Sequence, residues 1–223
     1  EFRRVLFRSS YVPKTDTQNR AKMTMDQLAD GLIGLKGKFY QSSNPFAAGA
    51  FFVLSGGPGR GKSHLLEALV RKVSEEAPDV VEQMFLLRKN FTHHTIASID
   101  GHTFENCPII LIDDLFSDHP SLSSLHPATD IECLSRFIAY AYENRCLVIA
   151  TCNFPFLDGI LPLIAKEDRV GRITSRCQEL LTANANEFVM DGPDHREEMA
   201  REAEKRRKNG ASTNFSIQFL DLK

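Results

Sequence analysis

The chain has 223 residues, with 27 Lys and Arg against 29 Asp and Glu, a net charge of −2, 42% hydrophobic and 25% charged residues. This is the composition of a globular domain rather than a disordered or fibrous chain, and the near-balanced charge confines any nucleic-acid contact to a local basic patch. The longest apolar run, residues 47–54, falls far short of the ~20 residues that a membrane-spanning helix needs. The five cysteines (Cys107, Cys133, Cys146, Cys152, Cys177) form no CxxC pair and have no matching His spacing, which argues for reduced thiols in a cytoplasm and against a disulfide framework or structural zinc.

Residues 1–9, EFRRVLFRS, show no periodicity and no signal-peptide layout. They resemble one translated frame of a sequencing-library adapter and are set aside as an assembly scar, so that the natural chain enters near Ser10 with its N-terminus missing. Residues 10–23 are polar and lack an apolar period, as a loop or linker would. Residues 24–40 carry Met25, Leu28, Leu32, Ile33 and Leu35 at helical spacing, with Thr24 or Asp26 able to cap the start. Residues 10–49 are thus expected to be a linker and helix ahead of a core over 50–191, with a charged helix and tail over 192–223. Within that core, residues 50–55 (AFFVLS) read as a buried strand that ends in glycines. Residues 62–73 read as a helix with Leu65, Leu66, Leu69 and Val70 on one face. Further strands are expected over 80–87, 108–112, 146–151 and 187–190, with a helix over 130–144. Strands alternating with helices predict an α/β layered fold with a mainly parallel sheet.

Between the first strand and its helix lies GGPGRGKSH, residues 56–64, which matches GxxxxGK[ST] at Gly56, Gly61, Lys62 and Ser63. Glycines let the backbone turn tightly and aim N–H groups at an anion, and the following helix adds its positive end. Gly57, Pro58, Gly59, Arg60, Gly61, Lys62, Ser63 and His64 are therefore the candidate ATP-binding residues. Lys62 is placed to reach the β- and γ-phosphates, and the Ser63 hydroxyl to ligate Mg²⁺. The strand IILIDDL over residues 109–115 delivers Asp113 and Asp114 at its C-terminal end, where ligands bind in open α/β sheets. Asp113 is expected to hold the magnesium through water, and Asp114 to orient the attacking water. A fourth strand ends in ATCNF, which sets Asn153 at the same crevice beside the γ-phosphate.

These motifs resemble those of the AAA+ ATPases, in the branch of replication initiators and bacterial helicase loaders of the DnaA, DnaC and DnaI types. The resemblance covers about residues 50–196. It implies a P-loop three-layer sandwich with a five-stranded parallel sheet of order 5-1-4-3-2, and it puts Asn153 at the sensor 1 position. DRVGRITSRC, residues 168–177, resembles the segment that supplies the arginine finger. This implies that Arg176, one helical turn after Arg172, acts on a neighbouring subunit's nucleotide, and hence that the chain self-associates. Two departures stand out. Asp114 occupies a position where AAA+ proteins generally have Glu, though the loader branch often has Asp there, and the stretch after residue 187 is short for a full helical lid, so a reduced or absent lid is expected. Arg196 is the candidate sensor 2 contact.

The insertion LLRKNFTHHT, residues 86–95, mixes Arg88 and Lys89 with Phe91, as single-strand binding surfaces mix charge with aromatics. Arg88, Lys89 and Phe91 are the candidate DNA contacts. The resemblance implies an ATPase, slow and stimulated by partners, that binds single-stranded DNA and loads a replicative helicase. IstB-type transposition helpers share this core. A ZapE-like ATPase acting on protein partners is the alternative, favoured by GRGKS and VMDGPDHR and disfavoured by ITSRC.

Overall fold

The computed structural model describes residues 11–35, 46, 49–88, 107–115, 137–168, 170–182 and 186–208. Five strands, β1 (Ala50–Ser55), β2 (Met84–Arg88), β3 (Ile109–Leu115), β4 (Leu147–Cys152) and β5 (Glu187–Val189), form one sheet. All pairings are parallel, and the spatial order is β2-β3-β4-β1-β5. Reversed, this is the 5-1-4-3-2 order that the resemblance implies.

β1, β3 and β4 are near-continuous apolar runs because both sheet faces are covered. Their side chains alternate between two buried clusters. Phe51, Val53, Ile110, Ile112, Val148 and Ala150 pack with helical residues 137–143, with a π-helical turn (Phe156–Ile160), and with α4 (Leu161–Glu167) and α5 (Arg172–Thr182). Ala50, Leu54, Ile109, Leu111, Leu147 and Ile149 pack on the opposite face with α1 (Asp16–Leu35), α2 (Lys62–Glu76) and α3 (Pro78–Val81). Helix, sheet and helix make three layers. α6 (His195–Lys208) follows β5 and is the last element among the described residues.

Two elements differ from expectation. The stretch over 10–23, expected to be a loop, contains the first two turns of α1, which begins at Asp16. Its buried face runs Gln18, Ala21, Met25, Leu28, Ala29, Leu32, a helical spacing whose first two positions are polar and small and so give no apolar signal. Gln18 is fully buried at no loss of hydrogen bonding: it accepts from Lys14 N at 2.8 Å and donates to Asp191 O at 2.8 Å. α1 shares its core with α2, and burying Met25, Leu28 and Leu32 contributes roughly 1.5–3 kcal/mol each relative to exposure. The second strand begins at Met84 rather than at residue 80. Pro78 sits at the start of the short helix α3, where its missing N–H costs nothing, and this delays the strand.

Candidate functional site

β1 ends at Ser55, and the chain turns through the glycine loop into α2. Gly56 has φ 124° and Gly61 φ 90°. A Cβ at Gly56 would lie 2.2 Å from the Met190 carbonyl oxygen, and one at Gly61 would lie 2.3 Å from Tyr11 Cε2, so both positions require glycine. Lys62, at the first turn of α2, is 5% exposed, and its Nζ donates to Gly56 O at 2.7 Å and Gly57 O at 2.8 Å. Burial lowers the Lys62 ammonium to about 8, partly opposed by the Asp114 and Asp113 carboxylates, which raise it. An anion arriving at Lys62 would offset that desolvation.

The acidic pair occupies a bulge. β3 and β4 pair regularly through Ile112 opposite Ala150 and resume at Leu115 opposite Cys152, leaving Asp113 and Asp114 against the single residue Thr151. Asp114 has φ 64°, in the left-handed region where Asp is among the better-tolerated side chains. Fully buried Thr151 accepts from Asp114 N at 2.8 Å and donates from Oγ1 to Asp113 Oδ1 at 2.8 Å.

The sixth helix closes the site from another direction. His195 N donates to Gly59 O at 3.1 Å, and the Asp194 carboxylate caps the helix by accepting from Arg196 N at 2.7 Å. The result is an open cleft of about 370 Å³ lined by Pro58, Gly59, Gly61, Lys62, Ser63, His64, Asp114, Asn153, His195 and Arg196. Two helix N-termini, those of α2 and α6, contribute to its wall, an arrangement suited to an anion. His64 Nε2 is buried at this cleft and has no hydrogen-bond partner among the described residues.

The cleft thus gathers most of the residues expected from the sequence: six of the loop residues, Asp114, Asn153 and Arg196. Three residues of the loop and the acidic pair stand apart from its lining. Arg60 turns its guanidinium to the Met190 carbonyl at 3.0 Å, Gly57 contributes its carbonyl to Lys62, and Asp113 is engaged by Thr151. Arg176, on α5, does not line the cleft of its own chain. Its guanidinium carbon lies 5.2 Å from the centroid of the Tyr142 ring, and Nη2 is 3.4 Å from Glu143 Oε1. Arg88 ends β2 opposite Asp113, while Lys89 and Phe91 lie outside the described residues.

Four residues at or beside the site give little signal in the sequence. Tyr11 donates to Arg60 O at 3.1 Å, with its ring 5.8 Å from that of His64 and 6.4 Å from that of His195; burial pushes its hydroxyl up to about 12. Glu187, on β5, accepts from Ser55 Oγ at 2.6 Å and from the N–H groups of Phe156 at 2.5 Å and Leu157 at 2.8 Å, tying the end of β1 to the turn after Asn153. His195 is far from the motif in sequence. Thr151 alone is hinted at, as a polar residue ending a strand that is otherwise apolar.

The donor set suits a nucleotide with a hard cation. The loop, Lys62 and the helix termini suit an anion, and Ser63, Asp113 and Asp114 offer oxygen atoms of the kind Mg²⁺ takes together with phosphate. Among the described residues no group of three or more His, Cys, Asp or Glu could hold a metal by itself, so a cation here would draw part of its shell from the ligand.

Fold and site together make a three-layer α/β sandwich with a parallel sheet, whose glycine loop and Lys62 line one cleft. The chain is similar to the crystal structure of the DnaC helicase loader, with a TM-score of 0.50, 22% identity, and coverage of 82% of this chain and 94% of that one. It is also similar to domain III of the Thermotoga maritima replication initiation protein DnaA, with a TM-score of 0.51, 16% identity, and coverage of 89% of this chain and 72% of that one. At these identities the likeness shows the fold. No protein-family model and no curated protein sequence matches the chain.

Proposed function

We propose that this chain is an ATP-binding and ATP-hydrolysing protein that acts in DNA replication as a helicase loader, binding single-stranded DNA and a replicative helicase in the cytoplasm. The observation that carries the nucleotide part is the cleft itself, which brings a buried, partly desolvated Lys62, a glycine loop, Asp114 and Asn153 to one wall-to-wall site. Lys62 and the loop N–H groups bind the phosphates, and Ser63 and Asp113 hold Mg²⁺. Bound Mg²⁺ supplies charge neutralisation at the phosphate oxygens. Asp114 and Asn153 orient the attacking water, and Arg196 meets the phosphates from α6. Arg176, remote from the cleft of its own chain, serves the cleft of a neighbouring copy.

Support for the loader reading comes from the ITSRC segment and from the likeness to the DnaC helicase loader. Arg88, Lys89 and Phe91 are the proposed DNA contacts. Anisotropy of fluorescent single-stranded DNA, titrated with the chain with and without ATP, tests this reading. Binding that appears or tightens with ATP is expected. No DNA binding in either state, with nucleotide binding intact, would contradict the loader reading and favour a ZapE-like ATPase directed at proteins.

A further inference from the structure

We infer that Thr151 is a positioning residue for the acidic pair: its hydroxyl closes the β3 bulge, holding Asp114 at the cleft and fixing the Asp113 carboxylate beside it. The inference rests on the proposed roles of Asp113 and Asp114. In a regular strand, adjacent side chains point to opposite faces, so neighbouring aspartates could not both serve one site. The bulge removes that constraint by opposing two residues on β3 with one on β4.

A bulge that breaks the ladder leaves backbone groups to be satisfied, and Thr151 does so with one atom. Oγ1 accepts the Asp114 N–H at 2.8 Å with one of its two lone pairs and gives its single proton to Asp113 Oδ1, also at 2.8 Å, since an ionised carboxylate only accepts. The first contact holds Asp114 at φ 64°, a conformation that needs support from its surroundings, and the second fixes the Asp113 carboxylate. Thr151 is fully buried and β4 runs regularly against β1 through Leu54 opposite Thr151, so the hydroxyl stands on a rigid element. Valine has nearly the same shape but neither donates nor accepts. Serine keeps the hydroxyl.

The test compares Thr151→Val, Thr151→Ser and Asp114→Asn with the unaltered chain. Affinity for a fluorescent ATP analogue is measured with and without Mg²⁺, together with ATP turnover and melting temperature. Thr151→Val is expected to keep its Mg²⁺-free affinity while losing about tenfold to a hundredfold in the Mg²⁺-dependent gain and in turnover. Thr151→Ser is expected to retain both. The inference is overturned if folded Thr151→Val keeps the Mg²⁺ gain and turnover, or if Thr151→Ser falls as far as Thr151→Val, which would make the role one of packing. Should Thr151→Val fail to fold, Thr151→Cys takes its place: its thiol is a weak donor, so its Mg²⁺ gain must fall below that of Thr151→Ser. Asp114→Asn separates the two levels. If it keeps full turnover, the reading of the acidic pair fails and the inference with it. If it loses turnover while Thr151→Val does not, the inference alone fails.

Discussion

Asp114 shows how one backbone angle selects a side chain. AAA+ ATPases in general commonly carry Glu at this position, although the loader branch that the sequence resembles often has Asp, and Glu would reach one methylene further. At φ 64° the short Asp side chain is among the few that the left-handed region tolerates, because it can hydrogen-bond locally. Asp114→Glu is therefore predicted to lower the unfolding free energy by about 1 kcal/mol, seen as a lower urea midpoint with unchanged slope. A midpoint equal to that of the unaltered chain would show that the bulge accommodates Glu without strain. Lys62 illustrates a second residue-level balance. Its ammonium is held in a desolvated pocket on two loop carbonyls, Gly56 O and Gly57 O, a cost in the folded chain that a bound phosphate would offset.

At the scale of elements, the site depends on how short, weak pieces are tied to the sheet. β5 has only three residues, yet its Glu187 carboxylate gathers the Ser55 hydroxyl and the first two N–H groups of the π-helical turn. This fixes the stretch that carries Asn153 relative to the start of the glycine loop. Glu187→Ala would leave those donors without an acceptor, and is predicted to cost roughly 3 kcal/mol, measured by urea unfolding. A loss below about 0.5 kcal/mol, typical of an ordinary surface site, would contradict the account. The N-terminal strap is tied in the same manner: Lys14 pairs with Glu198, Thr17 with Asp191, and Tyr11 lies on the glycine loop. These contacts explain where sequence reading stops. The glycine loop, the apolar strands and the acidic strand end are local patterns, so they are legible in the residues themselves. Glu187 and Ser55 are 132 positions apart, and Gln18 and Asp191 are 173 apart, so their pairing appears only once the sheet order is set. The first turns of α1 are hidden for a related reason: Gln18 is buried because a distant carbonyl accepts its amide, which no periodicity records.

On the scale of the whole molecule, a single parallel sheet with two covered faces places the nucleotide contacts proposed within one chain in the loops after β1, β3 and β4, at the start of α2, or on α6 beside them, and leaves Arg176 outside the cleft lining. The cysteines belong to the packing. Cys146, Cys152 and Cys177 are buried free thiols, pushed by burial up to about 12, 11 and 12, while Cys133 lies outside the described residues. Among the described residues no helix is long and apolar enough to cross a membrane. In the proposed reading, the cleft with Lys62 and the Arg176 side chain outside its lining would divide the labour, with binding inside a chain and catalysis completed by a neighbour. Equilibrium binding of MgATP to the unaltered chain, to Lys62→Ala and to Arg176→Ala tests this most directly. The account predicts binding by the unaltered chain, a loss of at least about a hundredfold in Lys62→Ala, since a buried charge-assisted contact is removed, and undiminished binding by Arg176→Ala. Lys62→Ala binding as tightly as the unaltered chain would contradict the assignment of the cleft, and loss of binding in Arg176→Ala would contradict its role toward a neighbouring copy.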